Sequence, residues 1–487
     1  MDNTQNKLNE ECGVFGIYSQ QTEDVAHLVY YGLYALQHRG QQSCGICVND
    51  DGLFNTYKDV GLVNEVFDAE KLEKLGQGTM AIGHVCYGAA GGNARANSQP
   101  ILVNHVKGRM ALANNGCLVN AFELRQELEM AGAIFYTASD AELISHMIIR
   151  ERIQSPSIEE AINRAMAKLK GAYSFVVMSP TKLIAARDPG GIKPLCYGTT
   201  KDGSYVFASE SCALDAVGAT LVRELKPGEI MVVDKNGIKS NMTHCGKCKQ
   251  SLCVFEYVYF ARPDSTMEGC SVHKARRRAG AFLAKEHPVE ADIVIGVPDS
   301  GLDAAIGYST QSGIPYGIGF LKNKYIGRTF IAPGQKARED LVRIKLNPIS
   351  DTVMGKRVVL IDDSIVRGTT SARIVKLLRD AGATEVHMRI SSPPFTNPCY
   401  YGTDIDSKDK LIACKHTIDE IADIIGADTL GYLSLENVVK LAGEDTEKYC
   451  TACFDGNYPT EIPVGDQQNK YDKKLSERTD KKDGGKK

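Results

Sequence analysis

Two hydrophobic rhythms divide the chain. Through residues 12–235 the apolar positions fall in short runs, GVFGIY, CGICV, MAIGHVCYG, RMALANNG, AYSFVVMS, KLIAARD, SYVFASE and GEIMVVD, mostly bounded by Gly, Asn, Asp or Ser. Such runs predict strands. Helical spacing is plain only near Val25–Leu36 and Ala141–Arg150. Strands grouped apart from helices predict an α+β layered domain over 12–235. In residues 236–465 the pattern changes. ADIVIGV (291–297) and VVLI (358–361) are unbroken apolar runs, as in strands buried on both faces of a parallel sheet, and Ile374, Leu377, Leu378 and Ala381 then recur at helical spacing. This half predicts an α/β domain. Residues 466–487 are charged and almost devoid of large apolar side chains, and are expected to be disordered.

The chemistry gathers where the second-half strands end. Residues 358–370 read VVLIDDSIVRGTT. Asp362, Asp363 and Ser364 therefore leave the carboxyl end of a strand, and Arg367, Gly368, Thr369 and Thr370 open a helix. In open α/β sheets this edge is where ligands bind. Backbone N–H groups at a helix start cradle phosphate, and the hydroxyls add donors. The two acids suit ribose hydroxyls and a Mg²⁺ held by a polyphosphate. An acidic N-cap explains one acid; it does not explain two, followed by Ser, Arg-Gly and hydroxyls. A second apolar strand ends in Pro298-Asp299-Ser300-Gly301, which by itself also fits an Asx-type turn. Residues 321–338, LKNKYIGRTFIAPGQKAR, are basic and weakly periodic, as in a loop that closes over a polyphosphate or a solvated connector.

Composition narrows the class. The 487 residues are 43% hydrophobic and 24% charged, which is ordinary for a globular chain of at least two domains. A net charge of −3 gives no general pull toward nucleic acid or anionic membrane. The basic cluster Lys274–Arg278 reads as a solvated helix face. There is no apolar run of about 18 residues to span a membrane, and the polar start MDNTQNKLNEE lacks the core of a secretory signal. A cytoplasmic location is expected. There the 15 cysteines stay reduced. Cys44, Cys47, Cys196 and Cys212 read as small core residues. Cys450 and Cys453 form a CxxC, with Cys253 and Cys399 elsewhere; four thiolates hold zinc or an iron–sulfur cluster, and spacing does not choose. Cys245 and Cys248 with His244 are a rival set, better as a zinc motif on spacing alone.

These motifs carry a resemblance. The 358–370 run resembles the phosphoribosyl-pyrophosphate (PRPP) fingerprint of the type I phosphoribosyltransferases. LQHRGQQS (36–43), NNGCLVN (114–120) and SDAEL (139–143), in that order after Cys12, resemble the N-terminal-nucleophile (Ntn) glutamine amidotransferases. The resemblance implies an αββα glutaminase domain in 12–235 and a phosphoribosyltransferase domain in 236–465. It implies that residues 1–11 are a propeptide and that Cys12, once terminal, is a nucleophile whose own amine is the base. Asn115 and Gly116 match the oxyanion donors, Asp140 the acid that binds the α-amino group of glutamine, and Arg39 with Gly40 the turn beside the nucleophile, with Arg39 expected to bind glutamine as well. Ser300, Asp362 and Asp363 match positions linked to Mg²⁺. Cys253, Cys399, Cys450 and Cys453 match the [4Fe–4S] ligands of the propeptide-bearing branch.

The chain departs from that pattern inside the glutamine pocket. Cys86 stands where arginine normally pairs with the glutamine α-carboxylate, Ala89 replaces threonine, Asn114 replaces histidine and Cys117 replaces asparagine. Loss of a charge-assisted contact costs about 1.5–3 kcal/mol. Arg95 is a nearby candidate to compensate. Over residues 12–460 the resemblance is to the glutamine PRPP amidotransferases, which implies synthesis of 5-phosphoribosylamine from PRPP and glutamine, inhibition by purine nucleotides and a homotetramer. Two alternatives stand beside it: an ammonia-dependent enzyme with impaired glutaminase, and a regulator that senses PRPP or nucleotides.

Overall fold

The computed structural model describes residues 12–87, 94–323, 346–403, 405 and 407–463. The leader, Ala89, residues 324–338 of the basic loop and the charged tail lie outside the described residues.

The first half contains β1 (Cys12–Glu23), β2 (Ser43–Asp50), β3 (Leu53–Val60), β4 (Gly78–Cys86), β5 (Ile101–His105), β6 (Gly108–Asn115), β7 (Ser174–Met178) and β8 (Leu183–Arg187). It continues with β9 (Cys196–Thr199), β10 (Tyr205–Ala208), β11 (Thr220–Glu224), β12 (Ile230–Asp234) and β13 (Gly237–Asn241), whose pairing with β12 carries the first domain past the expected boundary at residue 235. These make two sheets, ordered β11-β9-β10-β1-β4-β2-β3 and β13-β12-β8-β7-β6-β5. The period-2 pattern of β1 explains how they stack. Val14 and Tyr18 pack with Ala111, Ala113, Val176, Met178 and Leu183 of the other sheet, while Phe15 and Ile17 pack with Val29 and Leu33 of the helix Val25–Ala35. On the far face, Met110, Leu112, Phe175, Val177 and Ile184 pack with Leu143, Ile144, Met147, Ile162 and Met166 of helices Asp140–Gln154 and Ile158–Met166. The result is helix, sheet, sheet, helix, the expected αββα sandwich.

The second half adds β14 (Leu252–Cys253), β15 (Thr266–Met267), β16 (Cys270–Ser271), β17 (Ile293–Gly296), β18 (Phe320–Lys322) and β19 (Leu346–Pro348). β20 (Arg357–Asp362), β21 (Glu385–Ile390), β22 (Thr429–Tyr432) and β23 (Tyr449–Cys450) follow. β17, β20, β21 and β22 form a parallel sheet in that order. Its strands are buried on both faces: Ile293, Ile295, Val358 and Leu360 pack with Ile374 and Leu378, whereas Val294, Val359 and Ile361 pack with Leu283, Ala304 and Tyr308. This is the expected α/β domain.

One sequence expectation is corrected. The Lys274–Arg278 cluster lies on helix Val272–Glu286, yet Arg276 is buried and donates to the carbonyls of Tyr257, Tyr259 and Ala261. It ties the helix to the Glu256–Phe260 turn rather than facing solvent. The two halves also share buried polar contacts. The Cys253 amide donates to Ile192 O at 3.1 Å, and fully buried Arg187 pairs with Glu268 at 2.8 Å. Among the described residues no helix is long and apolar enough to cross a membrane.

Candidate active sites

Cys12 opens β1 in the interior, fully buried, directly opposite Cys86 of β4. Its backbone N–H donates to Asn115 Oδ1 at 3.3 Å. The Asn115 Nδ2 group is buried with no hydrogen-bond partner. A buried amide donor left unpaired is costly, and its place beside Cys12 is where an oxyanion donor must wait. Gly116 follows with φ +121°, and a Cβ there would meet Ala172 O at 2.4 Å, so only glycine holds this turn. Asp140 begins helix Asp140–Gln154 and accepts the Leu118 N–H at 2.7 Å through Oδ2. Cys12 thus meets Asn115 at the end of β6, with Gly116 next in the turn and Asp140 bound to the Leu118 amide two residues further on.

Arg39 belongs to a different arrangement from the one expected of it. Its guanidinium is buried between Glu210, bonded at Nε, and Glu256, bonded at Nη2 over 2.6 Å. Glu210 also accepts from His38 at 2.6 Å, from Ser265 Oγ at 2.6 Å and from the Arg262 amide at 2.9 Å. Burial acts to raise the Glu210 carboxyl, but the charges of Arg39 and His38 overcome it and hold it well below the usual range. Arg39 therefore joins the turn beside the nucleophile to the second half instead of offering its charge to glutamine. The neighbouring Gly40 seats that turn: a Cβ would lie 2.4 Å from the Cys86 backbone nitrogen. Arg95 does not fill the place left by Cys86, since it is exposed and pairs with Asp59 at 3.4 Å. His84, missed in the sequence, is buried on β4 with Nε2 3.0 Å from Asn114 O; burial depresses it to about 3 and keeps it neutral.

The second centre forms because β17 and β20 are parallel neighbours, with Gly296 opposite Ile361. Their following loops meet: Ser300 Oγ donates to Asp363 Oδ2, and Ser364 Oγ to Asp363 Oδ1. The Asp363 amide donates to Asp362 Oδ1 at 2.9 Å. Both acids are buried, and burial raises both carboxyls; Asp362 is pushed further by the charge of Asp363, while the two serine hydroxyls oppose the rise at Asp363. Two crowded carboxyls at a sheet edge are relieved by a cation. Beyond them, Gly368 precedes helix Thr369–Asp380, with Arg367, Thr369 and Thr370 exposed at its start. Lys322 reaches Asp299 of the neighbouring loop.

A third feature lies at the seam of the halves. Cys253, Cys399, Cys450 and Cys453 line one cavity with Ile192, Lys193, Phe255 and Tyr401. Burial lifts the Cys450 thiol to about 12 and drives Cys253 and Cys453 well above their ordinary value; neighbouring thiols push the same way, while buried Lys193 opposes the rise at Cys253 and Cys450. Among the described residues no three His, Cys, Asp or Glu side chains converge as ligands of a metal ion. The four thiols ring a space instead. In the rival set, His244 Nε2 lies 2.8 Å from Asn163 O, Cys245 contacts Met242 and Cys248 is exposed.

Comparison with known proteins agrees with this layout. A family described as a glutamine amidotransferase domain matches residues 91–216. The amidophosphoribosyltransferase of Bacillus subtilis is 50% identical over 460 residues, covering 93% of this chain and 95% of the relative. That of Methanocaldococcus jannaschii is 49% identical over 465 residues, covering 93% and 98%. The chain belongs to the amidophosphoribosyltransferase family. Among solved structures, the allosteric regulatory enzyme of purine biosynthesis superposes with a TM-score of 0.87 at 49% identity, covering 93% of this chain and 97% of that one. The glutamine PRPP amidotransferase of B. subtilis, solved with ADP and GMP, gives 0.86 at 48%, covering 93% and 98%. The chain is accordingly a pentosyltransferase of the first step of purine synthesis, with an Ntn glutamine amidotransferase domain and a phosphoribosyltransferase domain. Membership of an enzyme family sets aside the reading as a regulator alone.

Proposed function

We propose that nitrogen enters at two efficiencies, well from ammonia and poorly from glutamine, and ends as 5-phosphoribosylamine made at the Asp362–Asp363 edge. The observation that carries the transferase reading is the meeting of Ser300 with Asp363, which brings two strand-end loops into one acidic, hydroxyl-lined cradle beside a helix start. Asp362 and Asp363 bind the ribose hydroxyls. Thr369, Thr370 and the helix N–H groups, with Ser364, Arg367 and Gly368 shaping the turn, hold the 5-phosphate. Positioning and electrostatics carry such a step. Ser300, Asp362 and Asp363 would hold a Mg²⁺ ion, which would neutralise charge on the departing pyrophosphate.

In the first domain the Cys12 thiol attacks the glutamine amide carbon, with its α-amine as base once residues 1–11 are removed. Asn115 Nδ2 and the Gly116 N–H steady the oxyanion, and Asp140 pairs with the α-amino group. With Cys86 in place of the arginine expected at the α-carboxylate, glutamine binding falls by roughly ten- to a hundredfold. Cys253, Cys399, Cys450 and Cys453 line one cavity and would be the ligands of a [4Fe–4S] cluster. Purine nucleotides inhibit, and the active form is a homotetramer.

The test compares KM for glutamine with that for ammonium chloride in the mature chain, and in Cys86→Arg. Poor glutamine saturation that improves in the variant supports the reading. Saturation as ready with Cys86 as with arginine refutes it.

A further inference from the structure

Cys86 does more than leave a charge out of the pocket. Cys12 of β1 and Cys86 of β4 are directly opposed residues on antiparallel strands, and Ser43 of β2 is the partner of Cys86 on its other side. Opposed residues project from the same face, with Cα atoms about 4.5–5.5 Å apart. Disulfides span Cα separations of about 4.4–6.8 Å. The sheet therefore brings two thiols, 0% and 3% exposed, within bonding reach. An arginine at position 86 offers no such partner.

We propose that Cys86 is a resolving thiol for Cys12, so that a small peroxide closes the glutaminase reversibly. The proposal rests on Cys12 being the nucleophile. Its thiolate attacks one peroxide oxygen; the O–O bond breaks, leaving a sulfenic acid on Cys12, and the departing hydroxide takes a proton to become water. The Cys86 sulfur then attacks the Cys12 sulfur, the S–O bond breaks, a second water leaves and the disulfide forms. Two thiols give up two electrons and two protons, and the peroxide receives them. A dithiol reductant restores both thiols by exchange.

The selectivity is local. Cys44 and Cys47 are held by burial at about 12 within the sheet, which keeps them unreactive. Cys12, as the nucleophile, must be reached by the glutamine side chain, and a peroxide is smaller than that side chain. The transferase edge of Ser300 and Asp362–Thr370 carries no cysteine, so as long as iron and sulfide content is unchanged, ammonia-dependent synthesis continues while glutamine hydrolysis stops.

The test uses the mature chain, purified without oxygen and treated with hydrogen peroxide at up to a few equivalents. Peptides are mapped by mass spectrometry without reduction. The expected product is a Cys12–Cys86 peptide pair, lighter by two hydrogens than its components, rising as glutaminase falls and lost again in dithiothreitol, with ammonia-dependent activity retained. In Cys86→Ser, checked for native circular dichroism, dimedone should trap a persistent sulfenic acid on Cys12. Glutamine hydrolysis with no such peptide pair, or Cys12 paired elsewhere while Cys86 remains alkylatable, overturns the proposal alone. A reduced chain with no glutamine hydrolysis overturns the nucleophile reading beneath it.

Discussion

Arg39 offers the sharpest energetic test. Its side chain is 4% exposed, and those of Glu210 and Glu256 are fully buried. Replacing it with methionine keeps much of the volume and strands two buried carboxylates. Glu210 retains His38, Ser265 and the Arg262 amide; Glu256 loses both of its contacts with the guanidinium. Breaking a buried pair by removing one partner costs about 3–5 kcal/mol, a Tm drop on the order of 10 °C for a domain of this size. Arg39→Met should show that loss in thermal and urea unfolding. Arg39→Met combined with Glu256→Gln should recover more than about 1 kcal/mol of it, since the pair couples directly. Because the link spans the two halves, the single variant should also depress glutamine-dependent synthesis more than ammonia-dependent synthesis. A loss below about 0.5 kcal/mol, or full additivity in the double variant, refutes the reasoning.

His84 gives a pH dependence of known sign. Its folded-state value is depressed to about 3 by burial, so the fold favours the neutral ring, and its contribution is present above about 6.5 and lost as pH falls toward 3. Stability should decline by about 1.4 kcal/mol per pH unit from this residue over that window, and His84→Gln should flatten the decline in urea titrations at pH 7 and pH 5. Asp363→Asn should lower PRPP-dependent turnover by at least a hundredfold while glutamine hydrolysis persists, read in separate assays. Cys453→Ser should lose iron and sulfide on anaerobic purification; full retention of both would contradict the assigned ligands.

How far the sequence foretold this depends on the kind of pattern. The unbroken runs of β17 and β20 and the short apolar runs of β1, β6 and β7 were legible because burial dictates them. β3, β5, β11 and β13 were not, since their alternation is weak and several of their residues face solvent. Asn115, Asp140 and the Asp362–Thr370 run stood out as local motifs; the structure sets Asn115 beside Cys12 and Asp363 beside Ser300. Arg39 was placed with the right turn, but its pairing with Glu210 and Glu256 was not foreseen. Glu210 and Glu256 lie 171 and 217 residues away from it in the chain, and no local pattern reports such a pairing. Glu256 stands in no motif read from the sequence. Lys193 escaped notice because nothing around it in sequence hints at a thiol-lined cavity.

The central claim is that one chain makes 5-phosphoribosylamine at the Asp362–Asp363 edge and takes its nitrogen more readily from ammonia than from glutamine. The most direct measurement is PRPP-dependent pyrophosphate release by the mature chain with ammonium chloride, with glutamine and with neither. The account predicts rapid release with ammonium chloride, weaker release with glutamine and almost none without a nitrogen donor. Release no greater with either donor than in their absence would contradict it.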